Sequence, residues 1–421
     1  MGIVFLRGAR RGSALVIAVL LSLLVVFFMT VGGQLIATSH KETKIQQHVL
    51  TEADNLARAG LVDCISWFKR QTVQPVRSGV PPTLYSYPDA AFYPRYNANP
   101  LLRDTIDEST GLVKEFPITN DNSKWGRYEL QRQTVNPASG GANVHAVRDI
   151  TGDRVDGHYS GEGLVWYLES AGYIYKKVDP AKAYNVSPNV VLSRVRASTE
   201  IRRISLSLPM EAAFTVKNGG SGSTRTVVLN KNGRVMGMTG VGACRYSGNA
   251  PTVNTGATLA GSQASATITN DPTPLYVMGV SSADLKLLAD YVVTDTSLLP
   301  ATLPEMTLMF VDGNAVFSST RPLVGSGVLF VNGNLSITAG SNSYFSGFIY
   351  ATGTTTIYDP ALISGAVVGY TGGTISRSGA TSVAEIDYDS AILNAVRQQI
   401  CQYRENKSTL HVFIGVPGLE N

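Results

Sequence analysis

The sequence predicts an α+β chain: a long N-terminal helix packed on an antiparallel sheet, then a short β-helix closed by a C-terminal helix. Three observations carry this reading. A proline-free N-terminal stretch repeats apolar residues at helical spacing; the middle of the chain alternates apolar and polar residues; and Gly313, Gly333 and Gly353 recur every twenty residues. Periods of 3.6, 2 and twenty residues belong to a helix face, a strand face and a stacked coil, respectively.

The helix is read first. Ala14–Val31 is eighteen residues without a charge, about 27 Å of helix and close to the thickness of a hydrocarbon core. Residues 13–33 are therefore expected to form a transmembrane segment. The basic residues Arg7, Arg10 and Arg11 precede the run and polar residues follow it, which places the N-terminus in the cytoplasm and the body outside. Beyond the run, Ile45, Val49, Ala53, Leu56, Gly60, Cys64 and Phe68 step by three or four and draw one stripe. The helix is expected from about Ser13 to Arg70. Such a stripe serves a helix that covers only its own domain, or one that also packs against neighbouring subunits.

Composition narrows the class. The 421 residues are only 16% charged, and Gly (41) and Tyr (19) are plentiful, which suits extended structure and an extracellular surface. The net charge of +4 owes three units to Arg7, Arg10 and Arg11, so the body is near neutral and nucleic acid is not an expected partner. Three cysteines, with no CxxC, exclude a zinc ribbon. In an exported body one disulfide can form; Cys244–Cys401 is the pairing expected, since Cys64 reads as a helix-face residue, and three unpaired thiols are the alternative.

The segments 127–135, 164–177 and 189–208 alternate apolar and polar residues, and Tyr128, Leu130, Val165, Tyr167, Val191 and Val195 are expected to face the helix. Arg194, Arg196, Arg202 and Arg203 then form an outward, solvated row. Residues 216–300 read as a β-rich linking region. Within 301–387 a second glycine ladder, Gly327, Gly347 and Gly365, keeps phase with the first, and two phased markers favour a short β-helix of three or four coils over hairpins. Helices are expected at 281–293, with Ser282 as N-cap, and at 388–406, where Ile392, Val396, Ile400 and Tyr403 share a face and the helix caps the stack.

No catalytic motif appears, so no enzyme and no cofactor are expected. His40 and His48 share a helical face but sit eight residues apart, too far to chelate one ion. Asp149, Asp153 and Asp156 lack calcium-loop spacing and read as a solvated loop, and no metal site is expected. Asp312, Asp359 and Arg377 fall at different phases of the repeat and read as turn and corner residues.

The leader ending in Gly12, followed by Ser13, an apolar helix and "LTEADNLARAGL", resembles the type IV pilin class III signal, and most of all PilX-type minor pilins. The phrase "YLESAGYIY" is similar to pilin strands before a turn. The resemblance implies cleavage by prepilin peptidase between Gly12 and Ser13 and methylation of Ser13. It implies residues 1–12 as a leader and 34–215 as a pilin-like helix and sheet. It further implies other pilins and the inner-membrane assembly machinery as partners, and an inner-membrane precursor that ends in a surface filament. Ile17 departs from the family, whose members mostly carry glutamate there; the large tip pseudopilin of type II secretion also lacks that glutamate, so a tip position is what the departure implies. The alternatives are a permanently tethered β-helix protein that binds or cleaves glycans, and a secretion-system tip pseudopilin. The exposed β domain leaves room for a surface or glycan ligand.

Overall fold

The computed structural model describes residues 10–70, 75–76, 112–118, 123–130, 147–153, 163–217, 227–376 and 382–415. Within the first helix, the side chains of 10–17, 32–33 and 35–37 lie outside that description. The fold is α+β, in two parts that share one core each.

The first part is a helix laid on a sheet. Helix α1 (Arg10–Arg70) runs 61 residues, about 90 Å. Its last third covers strands β1 (Leu112–Pro117), β2 (Lys124–Leu130), β3 (Arg148–Asp149), β4 (Val165–Lys176) and β5 (Val190–Arg203). The sheet is antiparallel, and its core gathers Ala53, Ala57, Cys64 and Phe68 of α1 against Tyr128, Leu130, Trp166, Leu168, Ile174, Val195 and Ile201. Tyr128, Leu130 and Val195 thus face α1 as expected. Val165, Tyr167 and Val191 do not. In β4 the opposite parity is chosen, with Trp166 and Leu168 inward. In β5 a bulge between Ile174 and Tyr175 of the pairing turns Val191 to the other face.

The second part is a parallel β-solenoid inserted into the first. After β5 the chain forms β6 (Ala212–Lys217), β7 (Val227–Asn230), β8 (Arg234–Met236), β9 (Gly242–Ser247), β10 (Thr252–Val253), β11 (Thr258–Ala260) and β12 (Ser265–Thr267). Short helices α2 (Pro274–Met278) and α3 (Ser282–Leu288) follow. Next come β13 (Tyr291–Val293), β14 (Thr307–Val311), β15 (Ala315–Phe317), β16 (Val324–Val331), β17 (Leu335–Ile337), β18 (Ser343–Ala351), β19 (Thr355–Tyr358), β20 (Ala361–Gly369), β21 (Gly373–Ser376) and β22 (Ala384–Asp387). Helix α4 (Ser390–Gln399) leads into β23 (Tyr403–Gly415), which returns to the first sheet as the neighbour of β5. The order there is β1-β2-β4-β5-β23. Residues after 402 are therefore a strand of the helix-and-sheet unit rather than a tail behind a cap.

The stack is larger than the repeat suggested, and its order is not the chain's order. The wide parallel sheet runs β11-β8-β22-β20-β18-β16-β14-β13, and a narrow one runs β10-β7-β21-β19-β17-β15. The region 216–300 is thus mostly coil of the same solenoid. Its coils do not precede the repeat in space: they stack under its last coil, with Val367 beside Phe214, Gly373 beside Val227 and Ile386 beside Val235. The chain enters at the middle, winds to one end, passes along α2 and α3 to the other end, and winds back to the entry point. Helix α4, expected as an end cap, instead packs on β18 and β20 through Leu393, Val396 and Ile400. The cap of helix α3 lies one residue before the expected one: Ser281, not Ser282, accepts from the Asp284 amide at 3.1 Å, and the helix ends at Leu288, with Tyr291–Val293 of the expected helix a strand instead.

Both glycine ladders are corners where coils touch backbone to backbone. Gly327, Gly347 and Gly365 pair directly, at φ of 122°, 153° and 136°. A Cβ on Gly347 would collide with the Gly327 carbonyl oxygen, and one on Gly365 with that of Gly347. At the second corner Gly353 donates to the Gly333 carbonyl at 2.8 Å. Beside it the Asn334 side chain accepts from the Thr354 amide at 2.9 Å, and Asn314 accepts from Asn334 at 2.9 Å. Phe310, Phe330 and Tyr350 stack one per coil at 5.0 Å, each pair adding about 0.5–1.5 kcal/mol.

The expected Cys244–Cys401 disulfide is absent. All three cysteines are free and buried: Cys244 lies in β9 beside Phe214 and Ser265, and Cys401 just past α4, each packed as an apolar side chain. Burial pushes both thiols up to about 12, which disfavours the thiolate that disulfide chemistry needs.

The corner geometry sets an expected outcome. Gly347→Ala combines left-handed strain with a backbone collision and should cost about 3–5 kcal/mol. Gly340→Ala, at φ 78° but with nothing within 4 Å of the added carbon, should cost about 1 kcal/mol. Thermal unfolding of the two variants measures the difference; equal losses would remove the corner argument.

Candidate assembly surface

Helix α1 changes character near His48. From Val49 onward one face is buried: Val49, Ala53, Leu56, Ala57, Leu61, Cys64, Trp67 and Phe68. The approach is close because small residues meet there. A Cβ on Gly60 would strike Ser170 Oγ, and one on Gly172 would strike the Ala53 carbonyl. Polar contacts fix the rotation of the helix. Tyr128 donates to Asp63 at 2.7 Å, Lys114 pairs with Asp63 at 3.2 Å, and Lys124 pairs with Glu52.

Before Val49 the described side chains of α1 are exposed. Ten large apolar residues, Val19–Leu21 and Leu23–Met29, lie between 48% and 73% exposed. Burying each would gain about 1.5–3 kcal/mol, so this half of the helix is an adhesive surface. Among the described residues, however, no helix is long and apolar enough to cross a membrane. The described side chains of the run span Ala18–Val31, about 21 Å against the ~30 Å of a hydrocarbon core. The expected transmembrane segment at 13–33 is not supported by this helix. Gly12, Ser13 and Ile17 lie on α1 where side chains fall outside the described residues, as do residues 1–9 of the leader altogether.

The remaining sequence candidates disperse. His48 lies 3.4 Å from Glu52, while His40 lies eight residues earlier on the helix, about 12 Å away along its axis. Asp149 accepts from the Thr151 amide and hydroxyl at 2.9 and 2.6 Å and from the Gly163 amide at 2.6 Å, so its carboxylate shapes a turn; Asp156 and Arg377 lie outside the described residues. Asp312 pairs with Lys286 at 2.7 Å and Asn332 at 3.0 Å, which hold its carboxyl below the ordinary range, and buried Asp359 accepts from Ser382. Among the described residues no cluster of three His, Cys, Asp or Glu could hold a metal ion.

The arginine row is not a solvated face. Arg202 is buried and pairs with Asp284 of α3, tying the sheet to the solenoid. Arg404 of β23 makes a parallel tie, to the Leu288 carbonyl and to Asp290, each at 2.8 Å. Arg196 reaches Glu169 at 3.4 Å and lies over Phe413, while Arg194 lies over Tyr173.

One buried cluster went unread in the sequence. Arg127 of β2 is held between Glu115 of β1 at 2.8 Å and Glu129 at 2.7 Å, on the sheet face away from α1. Tyr173 donates to Glu129 at 2.9 Å, and Tyr184 lies 4.4 Å from the guanidinium. Burial alone would lower the Arg127 pKa; Glu129 and Glu115 outweigh it and raise it. The available signal was the i, i+2 pair Arg127/Glu129, which alternation assigns to one face. Nothing local shows that tyrosines from β4 and from the segment before β5 cover it.

No family model matches the chain, and no curated protein matches it. Among solved structures it is similar to the competence-associated pilin ComZ of Thermus thermophilus. The identity is 10% over 87% of this chain and 98% of that one, with a TM-score of 0.18, too low to carry a fold or a role across.

The buried cluster yields a prediction. Arg127→Met strands two buried carboxylates and should cost about 3–5 kcal/mol, whereas adding Glu115→Gln and Glu129→Gln should recover much of the loss. Urea midpoints of the single and triple variants decide; a single variant as stable as the parent would show that the charges are not coupled.

Proposed function

We propose that this chain is a non-enzymatic structural subunit of a type IV pilus-like filament, a minor pilin that displays the solenoid outside the cell. The observation that carries the reading is the apolar half of α1, projecting past the sheet with no partner in its own fold among the described residues. Before assembly the full run Ala14–Val31 is held in the bacterial inner membrane, and prepilin peptidase cuts between Gly12 and Ser13, with methylation of Ser13. In the filament, the same surface packs against the helices of other pilins. Lipid is as apolar as leucine, so shape fit and not water exclusion drives that exchange. Ile17 supports a tip position, where no neighbour's amine needs a carboxylate partner.

Mass spectrometry of the mature N-terminus, together with analysis of sheared surface filaments, tests the proposal. The expected result is a chain beginning at methylated Ser13 and present in the filament fraction. Replacing Phe27 and Phe28 by glutamate should leave the folded body intact and remove the protein from filaments. A full-length chain confined to the envelope would overturn it.

A further inference from the structure

Between the apolar run and the sheet, α1 carries a one-sided charge pattern. His40, Lys41, Lys44, Ile45 and His48 line a shallow open groove along the helix. At 100° per residue these five fall within about 140° of arc. Ser39, Glu42, Thr43 and Gln46 occupy the other side, with Gln47 at the border. All of these positions are exposed, His48 included, although its imidazole lies 3.4 Å from Glu52. No ion pair is formed by Lys41 or Lys44 among the described residues, whereas three lysines set against the sheet have carboxylate partners: Lys114 with Asp63, Lys124 with Glu52, Lys177 with Glu115.

We propose that this basic side of α1 contacts the anionic headgroups of a phospholipid surface. The inference rests on the membrane-held precursor proposed above. Three features of the helix select a lipid surface over an acidic protein. The stripe is continuous with the exposed apolar run on the same rod. Lys41 follows Val31 by ten residues, about 15 Å, and follows the apolar triplet 35–37, which precedes the polar stretch of the helix, by about 6 Å. Measured from that triplet, Lys41 lies at the depth of the headgroup layer, since a bilayer adds roughly 5–8 Å of interface to each side of its hydrocarbon core. Finally, side chains on a helix lean toward its N-terminus, so the lysine stems reach back toward the apolar run and set their ammonium groups at that level. The opposite side, which carries Glu42 and no lysine among residues 39–48, remains free to meet other helices. The stripe therefore fixes how the rod is turned while it waits in the membrane.

The test uses the full chain, purified in detergent and mixed during detergent removal with two vesicle populations of different density. One is phosphatidylcholine alone; the other contains one third phosphatidylglycerol. The parent should favour the anionic vesicles about thirtyfold, in line with the attraction of two lysines for an anionic surface, and high salt should erase the preference. Lys41→Gln with Lys44→Gln should partition evenly while still floating with lipid and keeping its thermal unfolding temperature. Even partition of the parent would overturn the headgroup contact and leave the membrane-held precursor standing. Failure to float with either population would overturn the precursor reading itself. An even partition combined with capture of acidic pilin subunits, lost in the double variant, would assign the stripe to a protein partner and overturn the inference.

Discussion

Tyr403 sits where the two parts of this molecule meet, and the architecture depends on its setting. Its ring is wholly buried against Phe68, near the end of the long helix, at 5.1 Å. Its hydroxyl donates to the Gly163 carbonyl at 2.5 Å and accepts from the Val76 amide at 2.8 Å, and its backbone pairs with Arg203. Gly163 is at φ 80° and a Cβ there would overlap Val76, so the pocket is tight. One residue thus joins α1, the start of β4, the end of β5 and the return strand β23. The chain leaves the sheet at Arg203 and re-enters opposite the same residue, so the solenoid is held by two adjacent strands.

A two-strand connection alone would leave the solenoid swinging. Buried and half-buried polar groups close the joint: Arg202 to Asp284, Arg404 to Asp290 and the Leu288 carbonyl, and the amides of Ser205 and Ser207 to the Met278 and Val277 carbonyls at 2.9 Å. Burial opposes the charge on Asp290, but the Arg404 hydrogen bond and the Leu308 amide outweigh it and hold the carboxyl below its ordinary range. On the far side of the entry point Arg397 of α4 and Tyr388 share Glu211, at the start of the first coil. First and last coils are therefore stapled where they meet, which gives a stack built from two chain segments one continuous core.

That joint relates to the proposed role through the helix. The body fastens the last third of α1, through close contacts at Ala53, Ala57 and Gly60, and leaves the described side chains before Val49 exposed along the rod. A rod gripped at one end transmits the position of a membrane or filament directly to the solenoid. The interior of the solenoid contributes rigidity through stacked rings and backbone-tight glycine corners, in place of charges that could titrate.

How much of this was legible in the chain follows from the range of each interaction. The stripe of α1, the alternation in β2 and the phased glycines are local periodicities, so the sequence by itself determined a long one-sided helix, a half-buried sheet and a coil that repeats every twenty residues. Strand parity in β4 was ambiguous because apolar residues occupy both faces, and in β5 a bulge reversed it. Only the tertiary structure decided that β23 closes the first sheet, that the coils of 212–267 stack beneath those of 291–387, that Arg202 is a buried tie and that Arg127 is caged by carboxylates and tyrosines. Each of these joins residues tens to hundreds of positions apart. Parallel strands are aligned by packing and backbone hydrogen bonds that any β-compatible segment can make, so no composition or spacing announces which coil lies next to which.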